Sequence, residues 1–118
     1  MPITPITLFK CLSDETRLRC LVLLQTEGRL CVCELTHALD MLQPKISRHL
    51  ALLRQSHLVL HSREGQWIYY QINPELPQWA VEILVCAVRQ VHVQPRSQQD
   101  KQRLKAMSGE ENSVQCCD

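Results

Sequence analysis

Apolar residues return at three- and four-residue intervals over most of the chain, the spacing of helices with one buried face. Ile3, Ile6, Phe9 and Leu12 predict a short helix over residues 2–12. Leu18, Leu21, Val22 and Leu24 predict a second helix. Ser13 can cap it, Asp14 and Glu15 put negative charge in its first turn, and Gly28 suits its end. Val32, Leu35 and Leu39 form the inner face of a third, shorter helix. A tight connection, Asp40-Met41-Leu42, leads to a fourth. Pro44 fits its first turn, where the missing N–H costs nothing, and Ile46, Leu50 and Leu53 share one face. The period then changes. Residues 58–63 and 67–72 are short runs rich in Val, Ile, Tyr and Trp around Glu64-Gly65-Gln66. They predict a β-hairpin in which Gly65 supplies a positive φ. After Pro74 and Pro77, a stripe of Ala80, Ile83, Leu84, Ala87, Val88 and Val91 predicts a last helix over residues 77–94.

Two short helices joined by a tight turn and followed by a hairpin describe a mostly α fold with a β-hairpin wing, the winged helix-turn-helix. Residues 1–94 would form this DNA-binding and dimerisation domain. Residues 95–118 turn polar, end in acidic residues with Cys116 and Cys117, and are expected to be a flexible tail. A chain of 118 residues supports one core, and with only 4% aromatic residues that core must be Leu, Val and Ile. So small a domain leaves no partner for the residue 80–91 stripe, which predicts a homodimer assisted by residues 2–12.

In this topology the amino-terminal half of the fourth helix enters the major groove, where base edges are distinguishable. Gln43 and Ser47 can hydrogen-bond there, and Lys45 and Arg48 can reach phosphates or a guanine edge. His49 could contact phosphate or pack beneath the helix. Arg63 in the wing is a further phosphate contact. The net charge of +1 is uninformative, but residues 41–70 hold four basic side chains against one acidic. Local excess of this kind makes an electrostatic footprint. No basic leader precedes an apolar run, and the best apolar stretch, residues 81–88, carries Glu82. A cytoplasmic protein without a membrane segment is expected.

Seven cysteines in such a chain argue for ion binding or thiol chemistry rather than a disulfide framework. Cys31 and Cys33 lie just ahead of the fourth helix. A lone C-x-C is a weak motif, since cysteine is commonly a packing residue. Here Val32, Leu35 and Leu39 already supply the apolar face. Cys33 falls beside His37 and Asp40, which predicts an accessible thiol. Residues i and i+2 of a helix do not face each other. Either Cys31 precedes the third helix, or ion binding unwinds its first turn. His37, four residues after Cys33, could complete a zinc site with both thiols. Cys20 and Cys86 are assigned to packing.

Residues 43–54, Gln-Pro-Lys-Ile-Ser-Arg-His-Leu-Ala-Leu-Leu-Arg, closely resemble the recognition helix of the ArsR/SmtB family of metal-responsive repressors. Leu30-Cys31-Val32-Cys33-Glu34-Leu35 resembles the arsenic-binding box of its arsenite-sensing members. Asp14-Glu15-Thr16-Arg17 and Gly65-Gln66-Trp67-Ile68-Tyr69-Tyr70 are similar to the family's second helix and wing. The resemblance covers roughly residues 6–92. It implies a homodimeric repressor of an arsenic-resistance operon, bound to an inverted repeat of double-stranded DNA. Trivalent arsenic or antimony, held by Cys31 and Cys33, would release it, with no organic cofactor. A third ligand could come from Cys116 or Cys117, less readily from Cys11 or His37, or from a small thiol or water. Three departures stand out: Leu42 where the family often has Ser, His57 where it often has Gly, and His37 where some arsenic boxes carry a third Cys.

Two other classes are weighed against this. A zinc- or cadmium-responsive repressor of the same family would need His37. A cysteine enzyme, such as a thiol oxidoreductase or arsenate reductase, would need a C-x-x-C motif or an anion-cradling loop. With three glycines and neither pattern, the chain is not expected to be an enzyme.

Overall fold

The computed structural model describes residues 3–108. Six helices and three strands run in the order α1 (Pro5–Leu12), α2 (Glu15–Glu27), β1 (Arg29–Cys31), α3 (Val32–Leu39), α4 (Gln43–Gln55), β2 (Val59–Glu64), β3 (Trp67–Ile72), α5 (Gln78–His92) and α6 (Pro95–Ser108). The strands form one antiparallel sheet in the order β1-β3-β2. This is the winged helix-turn-helix that the periodicity predicts: α3 and α4 are its two helices, β2 and β3 its wing.

Helix α2 is the centre of the core. Cys20 to Leu24 are all buried, and the inner faces of α1, α3, α4 and α5 close around them. Local chemistry sets the joints. Asp14, not Ser13, caps α2, its Oδ1 accepting from the Arg17 N–H at 3.1 Å. Ser13 is engaged one step earlier, donating its hydroxyl to the Lys10 carbonyl at the end of α1. Gly28 closes α2 at φ 92° and Gly65 turns the hairpin at φ 64°, both in the left-handed region that glycine enters without cost. Two non-glycine residues share that region. Asp40 (φ 54°) ends α3 and His57 (φ 64°) follows α4. The Asn73 side chain holds the latter by donating to the His57 carbonyl. Leu42 stands at the N-cap of α4 without a side-chain bond and is 79% exposed.

Three expectations need correction. Strand β1 was not anticipated: three residues are too few to show alternation, and the pairing partner, Tyr69–Gln71, lies some forty residues away. The stripe on α5 does find a partner within the chain, because Ala80, Leu84 and Val88 pack into the same core as α2. Most consequentially, residues 95–108 are not a loose tail but helix α6, docked along α3. Its buried stripe is Ser97, Asp100, Leu104 and Met107. Asp100, 1% exposed, accepts from Arg19 of α2 at 2.7 and 2.9 Å and from Arg103 at 2.9 Å. Half of that stripe is polar, so apolar periodicity could not reveal it. Residues 109–118, with Cys116 and Cys117, lie outside the described residues.

Candidate functional site

Cys31 belongs to two elements at once. It is the last residue of β1, paired with Tyr69, and the N-cap of α3, with extended backbone at φ −85° and ψ 165°. Glu34, three residues on, accepts from the Cys31 N–H at 2.9 Å. This is the reciprocal half of a capping box, which fixes where the helix starts. Cys31 therefore precedes α3, and Cys33 sits in its first turn. The extended residue swings its side chain back toward the helix, bringing the sulfur atoms to 3.5 Å. Two thiolates on one ion, with bonds of about 2.3 Å at angles of roughly 90–110°, stand about 3.3–3.8 Å apart. The pair thus has the span of a shared soft ion without any unwinding of α3.

Cys31 and Cys33 are buried, at 5% and 3% exposure, and Cys33 is disulfide-bonded, so the expectation that Cys33 is an accessible thiol is wrong. Met107 of α6 joins both cysteines, with Tyr69 at the edge, in a cluster separate from the main core. The Arg29 guanidinium lies 4.2 Å from the centre of the Tyr69 ring and pairs with Glu64 at the wing tip. His37 is exposed, and no group of three metal-binding side chains forms among the described residues. Cys11 is fully buried in the main core, apart from the thiol pair. Cys20 is buried as expected, and burial pushes its thiol up to about 12, which makes it inert. Cys86, assigned to packing, is exposed on α5.

The second surface is α4 with the wing. Ile46, Leu50 and Leu53 are buried, so Gln43, Lys45 and Arg48 are turned outward and exposed, with Ser47 partly so. The arrangement offers two cations and two hydrogen-bonding side chains in two turns. Arg63 is exposed on the wing, its Nε donating to the Gly65 carbonyl. His49 does not join this face. Arg17 Nη1 lies 3.2 Å from its Nδ1, and Asp14 lies 3.8 Å from its Nε2. A guanidinium can only donate, so Nδ1 accepts and the proton sits on Nε2. Burial holds the imidazole pKa down, helped by Arg17, Lys45 and Arg48 and opposed by Asp14. Burial works against ionisation of Asp14, but the Arg17 N–H and the facing His49 and Arg17 outweigh it. Arg17 also donates to the Lys10 and Cys11 carbonyls, so His49 locks α4 to the α1–α2 joint.

Sequence reasoning missed Tyr69, Met107 and Arg19–Asp100. It also missed the capping role of Glu34, which alone of these had a local signal, its three-residue spacing from Cys31.

A helix-turn-helix with a wing, and a pair of soft ligands at the root of its first helix, defines a transcription regulator of the winged-helix class. Residues 14–60 match the family described as bacterial regulatory protein, arsR family. The chain is 52% identical to arsenic resistance transcriptional regulator ArsR2 of Pseudomonas putida, over 98% of this chain and 99% of that one. It is 56% identical to ArsR1 of the same organism, over 70% of this chain and 64% of that protein's length. Among solved structures, the AntR antimony-specific transcriptional repressor superposes with a TM-score of 0.59 at 30% identity, covering 75% of this chain and 80% of that one. The chain belongs to the arsR family of bacterial regulatory proteins.

Proposed function

We propose that this chain is a homodimeric, cytoplasmic repressor of an arsenic-resistance operon, released from an inverted-repeat operator when trivalent arsenic or antimony binds Cys31 and Cys33. The observation that carries this reading is the 3.5 Å sulfur pair at the start of α3, the helix packed against α4. Trivalent arsenic is thiophilic and pyramidal, and the two preplaced sulfurs, with Cys33 reduced, supply most of its shell. The third position is open to Cys116, Cys117 or a small thiol. The described residues offer no third ligand, and His37 points to solvent, which disfavours zinc or cadmium sensing.

Ile6 and Phe9 of α1 are 68% and 54% exposed, and Val81, Val85 and Cys86 of α5 are half-covered or open. These are the dimer contacts of the proposal. Two α4 helices would then stand about 34–36 Å apart, one turn of DNA. Lys45, Arg48 and Arg63 would neutralise phosphates, and Gln43 and Ser47 would reach base edges. An ion held by these two sulfurs and a third ligand would couple to α4 through α3, which packs against it. Coupling of this type is typically about 1–3 kcal/mol, or roughly 5–150-fold in operator affinity.

The test is a gel shift on an operator-like inverted repeat. Retardation by the wild-type protein should be lost on adding arsenite. Cys31→Ser and Cys33→Ser should still retard the DNA and should not be released. Arsenite release of the double serine variant would overturn the thiol assignment. A monomer that fails to retard the repeat would overturn the repressor reading itself.

A further inference from the structure

The stretch Asp14-Glu15-Thr16-Arg17 does more than start α2. Arg17 is half-buried, and its guanidinium spends all three nitrogens on acceptors from two other helices. Nε donates to the Cys11 carbonyl and Nη2 to the Lys10 carbonyl, each at 2.9 Å. Both carbonyls belong to the last turn of α1, where a helix leaves its acceptors unused. Nη1 lies 3.2 Å from Nδ1 of His49 on α4. Asp14 holds the Arg17 N–H, and the same carboxylate faces the other ring nitrogen of His49 at 3.8 Å. One residue before Arg17, the buried Thr16 donates its hydroxyl to the sulfur of Met41, in the turn between α3 and α4, at 3.7 Å. The end of α1, the turn of the helix-turn-helix and α4 thus meet on the first turn of α2.

We infer that Arg17 is a positioning residue for operator recognition: its fork ties α4 to the end of α1 and so sets how the two recognition helices of the dimer are spaced and turned. This rests on the repressor reading above, in which exposed Ile6 and Phe9 make α1 a dimer helix. Burial of Ile46, Leu50 and Leu53 holds α4 to the core, but apolar attraction is non-directional. The guanidinium supplies the direction. Its donors stand in a rigid planar fork, so three acceptors on two helices are held in one geometry. His49 directly follows Arg48, so a rotation of α4 that breaks the Arg17 bond also swings Lys45 and Arg48 on the groove face. A dimer that reads half-sites one turn of DNA apart tolerates little of that motion. Lysine in place of Arg17 would keep the charge, but a single compact ammonium cannot span the three acceptors.

The experiment measures fluorescence anisotropy of labelled duplexes titrated with the full chain. The wild type first selects an inverted repeat from a random pool, and the spacing of its half-sites is then varied one base pair at a time. The wild type should prefer one spacing. Arg17→Lys should lose about tenfold in affinity at that spacing, the upper end of what one hydrogen bond is worth, and should discriminate less between spacings. His49→Phe, which removes the acceptor, should do the same, and His49→Gln, which keeps one, should retain most of the preference. Arg17→Lys combined with His49→Phe should lose little more than either alone, because the two remove one shared interaction. The salt slope should stay constant, since no phosphate contact is removed. Should Arg17→Lys fail to fold, the contrast between His49→Phe and His49→Gln decides. A wild type indifferent to spacing, an unaltered profile in the variants, or a uniform loss at every spacing overturns the positioning role. So does a slope lowered by about one, which would make Arg17 a phosphate contact. A wild type that binds no repeat at all would overturn the repressor reading and this role with it.

Discussion

Replacing Asp100 by Ala removes the carboxylate that joins α6 to the rest of the molecule. Arg19 is left with its side chain 6% exposed and its charge uncompensated, retaining one acceptor, the Leu39 carbonyl. Breaking a buried pair from one side costs about 3–5 kcal/mol. The second pair, to the 35%-exposed Arg103, is worth only about 0–1 kcal/mol. The retained acceptor favours the low end, so about 3 kcal/mol should be lost, against a total of about 5–15 kcal/mol for a domain of this kind. Urea unfolding followed by circular dichroism checks it, at fixed protomer concentration because dimerisation would shift the midpoint. With a slope of about 1–3 kcal/mol/M, the midpoint should fall by roughly 1–3 M. Replacing both partners, Arg19→Met with Asp100→Leu, should recover most of the loss, because it leaves no buried charge behind. A loss under about 0.5 kcal/mol for Asp100→Ala, the range of an unremarkable surface substitution, would refute the docking of α6. Residues 95–108 would then be the polar tail that their composition suggests.

Other outcomes follow from single residues. Arg48→Ala should weaken operator binding and lower the salt slope by about one, leaving arsenite binding intact; an unchanged slope would show that Arg48 touches no phosphate. Leu42→Ser should add the missing cap of α4 and gain about 0.5–1 kcal/mol in urea unfolding, since a side chain 79% exposed gives up no burial. His49 has a folded-state pKa below its ordinary 6.5, so the fold favours the neutral ring. Its contribution is complete above that value and is lost as pH falls through it toward the folded pKa. His49→Gln should therefore flatten stability between pH 7 and 5, and an unchanged slope would show that the ring is not held neutral.

The legible parts of the chain were those whose cause is local. Pro44 and the Ile46, Leu50, Leu53 face marked α4, and Gly65 between β-branched runs marked the wing. The positive φ of His57 was foreseeable from the absence of the expected glycine. The thiol pair was legible as chemistry but not as environment. Cys33 shares its cluster with Met107, more than seventy residues away, on a helix whose inner face spends two of four positions on Ser97 and Asp100. Asp100 reads as a solvated charge until Arg19, 81 residues earlier, is known to lie opposite. His49 was ambiguous for the same reason, since Asp14 and Arg17, which decide it, come from another helix.

The distance along the chain between Cys33 and Met107 also has a consequence during synthesis. Translation proceeds at about 5–20 residues per second, so the roughly seventy residues from Cys33 to Met107 take on the order of 4–15 s to emerge. Through that interval the helix-turn-helix can form, but Met107 has yet to join Cys31 and Cys33. Each new molecule passes through a stage in which these two sulfurs lack the packing of Met107. A cell under oxidative or metalloid stress would meet the nascent chain before it meets the finished one.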